Sequence, residues 1–150
     1  MRLIICIAVC LGAAGLGSIM TTPALRPWYA SLRKPNWSPP NWLFAPVWTI
    51  LYVSMAVAAW LVWRMVGLAS LSMRVFLVQL LLNISWSAVF FKFRSPGPAF
   101  AEIVLLWLAI LATFIEFWRV IPAAGWLLFP YLIWVAFAAA LNFSIWQLNT

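Results

Sequence analysis

Long runs without a charged side chain are the feature that most restricts how this sequence can fold. They cover residues 3–25, 35–63, 75–91 and 120–150. A transmembrane helix needs about 20 predominantly apolar residues, so each run is long enough to cross a membrane. We predict one domain over residues 1–150, with a long loop at 21–42 and five transmembrane helices at about residues 3–20, 43–64, 71–92, 97–118 and 122–147.

The composition is typical of a membrane protein and excludes other classes. Hydrophobic residues make up 67% of the chain and charged residues only 7%, whereas soluble domains carry roughly 25% charged residues. The apolar runs are continuous, while the strands of a membrane barrel alternate apolar and polar residues. The predicted fold class is therefore an all-α, multi-pass integral membrane protein, a bundle of five transmembrane helices.

The charged residues are too few and too scattered for several common functions. The net charge is +7, but the basic residues stand singly or in pairs, so we expect no nucleic-acid partner. The chain has no His and only two carboxylates, Glu102 and Glu116, so no catalytic residue and no metal site is predicted. We expect Glu116 to pair with Arg119, and Glu102 with the basic residues at 92–94, at the membrane boundary.

The first apolar run allows two interpretations. A basic residue before an apolar stretch with small residues is typical of a secretion signal, but we favour a permanent first helix. Two sets of small residues occur at helical spacing: Ala8, Gly12 and Gly15, and Ala14 and Ser18. Such residues either permit close contact with a neighbouring helix or occupy a membrane helix without a packing role. Counted with the N-terminal amine, the positive charges are divided evenly between the two membrane sides and assign neither orientation.

The loop at residues 21–42 is unusually rich in proline and aromatic residues. Proline restricts its own backbone and that of the preceding residue, so the loop should be stiff and extended. Two interpretations stand side by side: an aromatic belt at the lipid headgroups, or a lid over a pocket. The relevant side chains are Trp28, Tyr29, Trp37 and Trp42, with the cations Arg26, Arg33 and Lys34.

Large rings recur on one face of three predicted helices. Rings beside small residues leave concave space along a flat wall. The stripes are Trp48, Tyr52, Met55 and Ala59 in helix two, Gln79, Asn83, Trp86 and Phe90 in helix three, and Trp134, Ala138, Leu141 and Ile145 in helix five. The amides should face the bundle interior, where they either join helices or contact a ligand.

Three blocks of residues resemble the TspO/MBR family, the tryptophan-rich sensory proteins and translocator proteins. They occur in the family's order and spacing and cover nearly the whole chain. Beyond the run KPNWSPP at residues 34–40, the matching positions are Trp48, Tyr52, Gln79, Asn83, Trp86, Phe90, Pro130, Trp134, Leu141, Asn142 and Trp146.

This resemblance implies a homodimer of five-helix bundles, each with a pocket beneath the loop between helices one and two. Family members bind porphyrins and synthetic isoquinoline and benzodiazepine ligands. No cofactor is required, and a porphyrin such as protoporphyrin IX or haem is the expected ligand. By motif match, the ligand-binding residues are Trp37, Trp48, Tyr52, Asn83, Trp86, Phe90, Trp134, Ala138 and Leu141.

The residues and this resemblance leave several functions open. We favour a membrane protein that binds a tetrapyrrole or another hydrophobic small molecule and acts as a sensor, regulator or carrier. The alternatives are an enzyme that promotes Trp-dependent photo-oxidative degradation of porphyrin, and a small transport or assembly protein unrelated to tetrapyrroles. Residues 141–147 lack the Tyr and basic residue of the animal sterol motif, so a bacterial source is favoured and cholesterol transport is not.

Overall fold

The computed structural model describes residues 1–25 and 27–150, and Arg26, a predicted boundary cation, lies outside them. Within these ranges the chain forms no strand and five long helices: α1 (Arg2–Leu25), α2 (Phe44–Val66), α3 (Leu71–Ser87), α4 (Pro96–Val120) and α5 (Pro122–Leu148). All five are long and apolar enough to cross a membrane, with α3 counted through Lys92. The predicted all-α bundle of five transmembrane helices is confirmed.

The first helix is longer than the sequence predicts. It ends at Leu25 instead of about residue 20, and Pro23 lies inside its last turn. Proline removes one backbone hydrogen bond from a helix. Here Ala24 is buried in one apolar cluster with Phe90 and Phe91, and this packing holds the last turn in helical form. The loop to α2 is correspondingly shorter.

The third helix ends in a wider turn that the apolar pattern does not reveal. Residues Ala88–Lys92 form a π-helix, in which the amide of Phe93 donates to the carbonyl of Ala88 at 2.9 Å. Phe90 and Phe91 are consecutive, yet both are buried at this turn. Single π-helical turns are frequent at functional sites, and this one presents two neighbouring rings to the interior.

The bundle packs most extensively between α4 and α5, between α3 and α4, and between α1 and α2. The face of α1 that enters this packing carries Cys6, Cys10 and Ala13, all buried, and both cysteines are free. The predicted small-residue stripe through Gly12 and Gly15 is exposed instead. Helices in a membrane associate through close packing of small residues, and the buried face of α1, which also carries Gly17, supplies such residues.

The turn between α4 and α5 depends on a glycine. A Cβ atom added at Gly125 would lie 2.7 Å from a ring carbon of Trp118 and 3.2 Å from its Cα. We therefore expect Gly125→Ala to lower the free energy of unfolding by about 1 kcal/mol, because backbone cannot move aside as a flexible side chain can. Gly12→Ala should leave stability unchanged or raise it, since its position is open and alanine favours a helix. Unfolding in detergent measures the free-energy change for each variant. Equal changes would contradict the close packing of Gly125 against Trp118.

Candidate functional site

A cavity of about 380 Å³ lies beneath the loop, among α1, α2, α3 and α5. Helical spacing brings its wall residues to one side of each helix, as the aromatic stripes predict. Eight of the nine predicted ligand-binding residues line it: Trp48, Tyr52, Asn83, Trp86, Phe90, Trp134, Ala138 and Leu141. The structure thus brings together side chains that are far apart in the sequence, and their contact with a ligand stays a prediction.

The ninth predicted residue, Trp37, does not line the cavity. It is 49% exposed and packs its ring edgewise on Phe137, with ring centroids 5.6 Å apart. A tight turn, closed by the amide of Ser38 bonding the carbonyl of Pro35, places it on the outside of the loop. The loop ring that lines the cavity is Tyr29, which the motif comparison did not select.

Two indole rings form the apolar wall between α2 and α5. Trp48 and Trp134 lie with centroids 6.4 Å apart and planes at 87°, an edge-to-face contact that aromatic pairs favour. The Nε1 atom of Trp134 is buried and has no hydrogen-bond acceptor in the part of the chain that the structure describes. By contrast, Nε1 of Trp86 donates to Oδ1 of Asn142 at 3.0 Å. Of these two indoles, one has a buried donor without a partner and the other has a donor bonded to an amide of α5.

A chain of hydrogen bonds closes the deep end of the cavity. The Tyr52 hydroxyl donates to Oδ1 of Asn83 at 2.9 Å, and Nδ2 of Asn83 donates to the Tyr131 hydroxyl at 2.6 Å. The Tyr131 hydroxyl donates in turn to Oε1 of Gln79 at 2.7 Å. These bonds join α2, α3 and α5. Sequence reasoning selected both amides but not Tyr131, the residue that links them.

The structure distinguishes between the two interpretations of the amides, bonding between helices and contact with a ligand. Gln79 is fully buried, does not line the cavity, and only joins helices. Asn83 lines the cavity, but its oxygen and its nitrogen are each bonded to a tyrosine hydroxyl. Asn142 also lines the cavity, and its Nδ2 donates to the carbonyl of Pro96 at 2.8 Å. The amides therefore act first as bonds between helices.

The loop forms a roof that is held in place at two points. Nζ of Lys34 donates to the carbonyls of Tyr29 and Leu32 at 2.8 and 3.1 Å. The side chain of Asn149, past the end of α5, accepts from the amide of Arg33 and donates to its carbonyl. The lid interpretation thus describes the inner side of the loop. The exposed Trp37 and Trp42 on its outer side fit the interfacial belt.

Burial changes the ionisation of two roof residues. It raises the pKa of the Tyr29 phenol, because the charged form would lose its hydration. It lowers the pKa of the Lys34 ammonium for the same reason. Lys34 also lies over the face of the Tyr29 ring, with Nζ 4.7 Å from the centroid. At neutral pH the roof therefore combines a neutral phenol with a cation that bonds the backbone beside it.

Comparison with known proteins assigns the family. The pattern of the TspO/MBR family matches residues 6–147, nearly the whole chain. The chain belongs to the TspO/MBR family. With five helices that can cross a membrane, this TspO/MBR protein is a multi-pass integral membrane protein.

Individual relatives cover the same length. The tryptophan-rich protein TspO of Chlorobaculum tepidum is 44% identical, over 99% of this chain and 96% of that protein. Protein CrtK of Rhodobacter capsulatus is 40% identical, over 93% of this chain and 88% of its own. The translocator protein of Ovis aries is 42% identical, over 81% of this chain and 75% of its own. This family member is thus similar in sequence to both bacterial and animal proteins over most of its length.

The two carboxylates differ in their surroundings. Arg119 Nη1 lies 3.1 Å from Glu116 Oε1, which confirms the predicted ion pair. The expected pairing of Glu102 with residues 92–94 is wrong: both of its carboxylate oxygens are buried, and neither has a hydrogen-bond partner within residues 1–25 and 27–150. Glu102 lies about 9 Å below the first residue of α4 along the helix, too deep for a boundary pair.

Proposed function

We propose that this TspO/MBR protein binds a tetrapyrrole, or a flat apolar ligand of similar shape, and acts as its sensor, regulator or carrier. The observation that carries the proposal is the aromatic wall of the cavity, to which Trp48, Trp86 and Trp134 contribute their indole rings. An aromatic ring offers a large apolar face and favours offset or edge-to-face contact with other rings. A flat ligand gains this contact when it packs against the wall.

The shape of the cavity supports a flat ligand. Trp48 and Trp134 stand nearly perpendicular, so a planar molecule can stack on one ring and meet the edge of the other. The volume of about 380 Å³ is near the lower end of the range for small-molecule sites, about 300–1,000 Å³. A macrocycle would be enclosed in part, with one edge at the cavity opening. Relatives named tryptophan-rich sensory protein and translocator protein fit sensing and carrying, respectively.

The test is a reduction of this aromatic wall. Trp134→Phe keeps an aromatic ring in the wall but removes part of the indole face, so we expect protoporphyrin IX to bind about tenfold more weakly, or about 1.4 kcal/mol. Titration of the purified protein, followed by tryptophan fluorescence, measures the affinity. Trp126→Phe is the matched control, because Trp126 lies on the same helix, is 59% exposed and does not line the cavity. Equal affinities for the two variants would contradict the proposal.

A second candidate function is light- and oxygen-dependent breakdown of the bound porphyrin. The observation that favours it is the Trp48–Trp134 contact on the cavity wall, which places two oxidisable rings beside the proposed ligand. Illumination of the complex in the presence of oxygen should then give a new absorbing product. At protein concentrations that keep the porphyrin bound, the double variant with Phe at both positions should give only the porphyrin's own photobleaching.

A further inference from the structure

The cavity is exposed to the outside on one side only, among the lining residues that the structure describes. Lining residues of α3 and α5, and Tyr29 of the roof, are buried or half-buried. The exposed lining residues all lie on two facing segments, α1 and residues 41–49, which lead from the end of the loop into α2: Gly15, Ser18, Thr22, Asn41, Ala45 and Thr49. The two segments therefore separate along this stretch and leave a gap that leads into the cavity.

The other directions are closed by contacts described above. The roof is tied to the end of α5 through Asn149 and to itself through Lys34. The deep end is closed by the hydrogen bonds of Tyr52, Asn83 and Tyr131. A ligand that came through the roof would have to break the first set of bonds, and one that came from below would have to break the second.

The gap faces lipid and not water. All six residues lie within the membrane-spanning segments Arg2–Leu25 and Asn41–Val66. The stretch from Gly15 to Thr22 rises about 10 Å along α1. This height fits within one leaflet, whose hydrocarbon is about 15 Å thick. The opening therefore meets the bilayer on the side of the loop.

The geometry points to a side portal: the ligand passes between the leaflet and the cavity through the gap between α1 and α2. This inference rests on the proposed function and names the class of ligand, an amphiphile dissolved in the membrane. Four of the six side chains at the gap carry a hydroxyl or an amide, and the hydroxyls of Ser18 and Thr22 lie 3.3 Å apart. These polar side chains accommodate the polar edge of a molecule whose apolar body remains in lipid.

Two glycines on α1 provide the experiment. A Cβ atom added at Gly15 or at Gly12 meets nothing within 4 Å, so both positions have open space where a new side chain would begin. Gly15 lines the gap and Gly12 does not. Each is replaced by Leu in the full chain, reconstituted in lipid vesicles that hold protoporphyrin IX, and the rates of association and dissociation are followed by fluorescence. Thr49→Leu narrows the gap from α2 and takes the place of Gly15→Leu in the experiment if that variant does not fold.

A portal controls the rates of both ligand association and ligand dissociation. We expect Gly15→Leu and Thr49→Leu to slow association by about tenfold and to slow dissociation as well, because the ligand crosses the gap in both directions. Gly12→Leu should change neither rate. Unchanged rates in both gap variants, or a weaker Kd that comes from faster dissociation alone, would overturn the portal while ligand binding itself stands. Absence of porphyrin binding in the wild type would instead overturn the proposed function.

Discussion

Ala138→Phe should weaken protoporphyrin IX binding by about a hundredfold, or about 2.7 kcal/mol. Ala138 lines the cavity on α5, one turn after Trp134, so a phenyl ring there occupies the space in which a planar ligand would lie against the indole. The loss exceeds that expected for Trp134→Phe because the whole ligand is displaced, whereas Trp134→Phe removes only part of one ring face from the wall. Titration of the purified variant gives the affinity.

The control for this substitution lies on the same helix. Ala136 is exposed and faces away from the cavity, so Ala136→Phe adds the same ring where it meets lipid. We expect its affinity to match the wild type. Thermal unfolding of both variants separates loss of binding from loss of fold. An Ala138→Phe protein that is folded and binds within threefold of the control would show that the ligand lies elsewhere.

Tyr131→Phe should lower the free energy of unfolding by about 2 kcal/mol. The Tyr131 hydroxyl accepts from Asn83 and donates to Gln79, so its removal leaves two buried amides each with an unpaired group. Single hydrogen bonds between membrane helices average only about 0.6 kcal/mol, and the larger value reflects the loss of two bonds and two stranded partners. Unfolding in mixed detergent micelles measures the change.

Tyr52→Phe is the matched comparison, because it removes one bond to the same amide. The Tyr52 hydroxyl donates to Asn83 and has no second bond among the described residues, so we expect roughly half the effect of Tyr131→Phe. A larger loss of stability for Tyr52→Phe than for Tyr131→Phe would contradict the central place of Tyr131 in this chain of bonds.

The sequence predicts the fold and most of the cavity wall because helical periodicity determines both. Uncharged runs of sufficient length indicate the spans, and the spacing of Trp48 with Tyr52, or of Trp134 with Ala138, places each pair on one face. Each wall residue is thus predicted from its own helix. The family blocks then indicate that these faces meet.

Features that depend on the partner of a side chain were not predictable in this way. Tyr131 is an ordinary member of an apolar run until the bundle brings it between Asn83 and Gln79. Tyr29 and Trp37 lie in the same proline-rich loop, and only its turns decide that Tyr29 faces inward. The burial of Glu102 likewise depends on how α4 rotates in the bundle, which an apolar helix of this kind does not reveal.

The most direct test of the account compares two pairs of tryptophans. Trp48 and Trp134 line the cavity, whereas Trp118 and Trp126 contact each other at 5.2 Å outside it. Replacing either pair with Phe leaves the same number of indoles, so fluorescence titrations with protoporphyrin IX are comparable. We predict that the inner double variant binds at least about thirtyfold more weakly, about 2 kcal/mol, and that the outer one binds as the wild type does. Equal affinity and equal quenching in both would show that the indole-walled cavity is not the binding site.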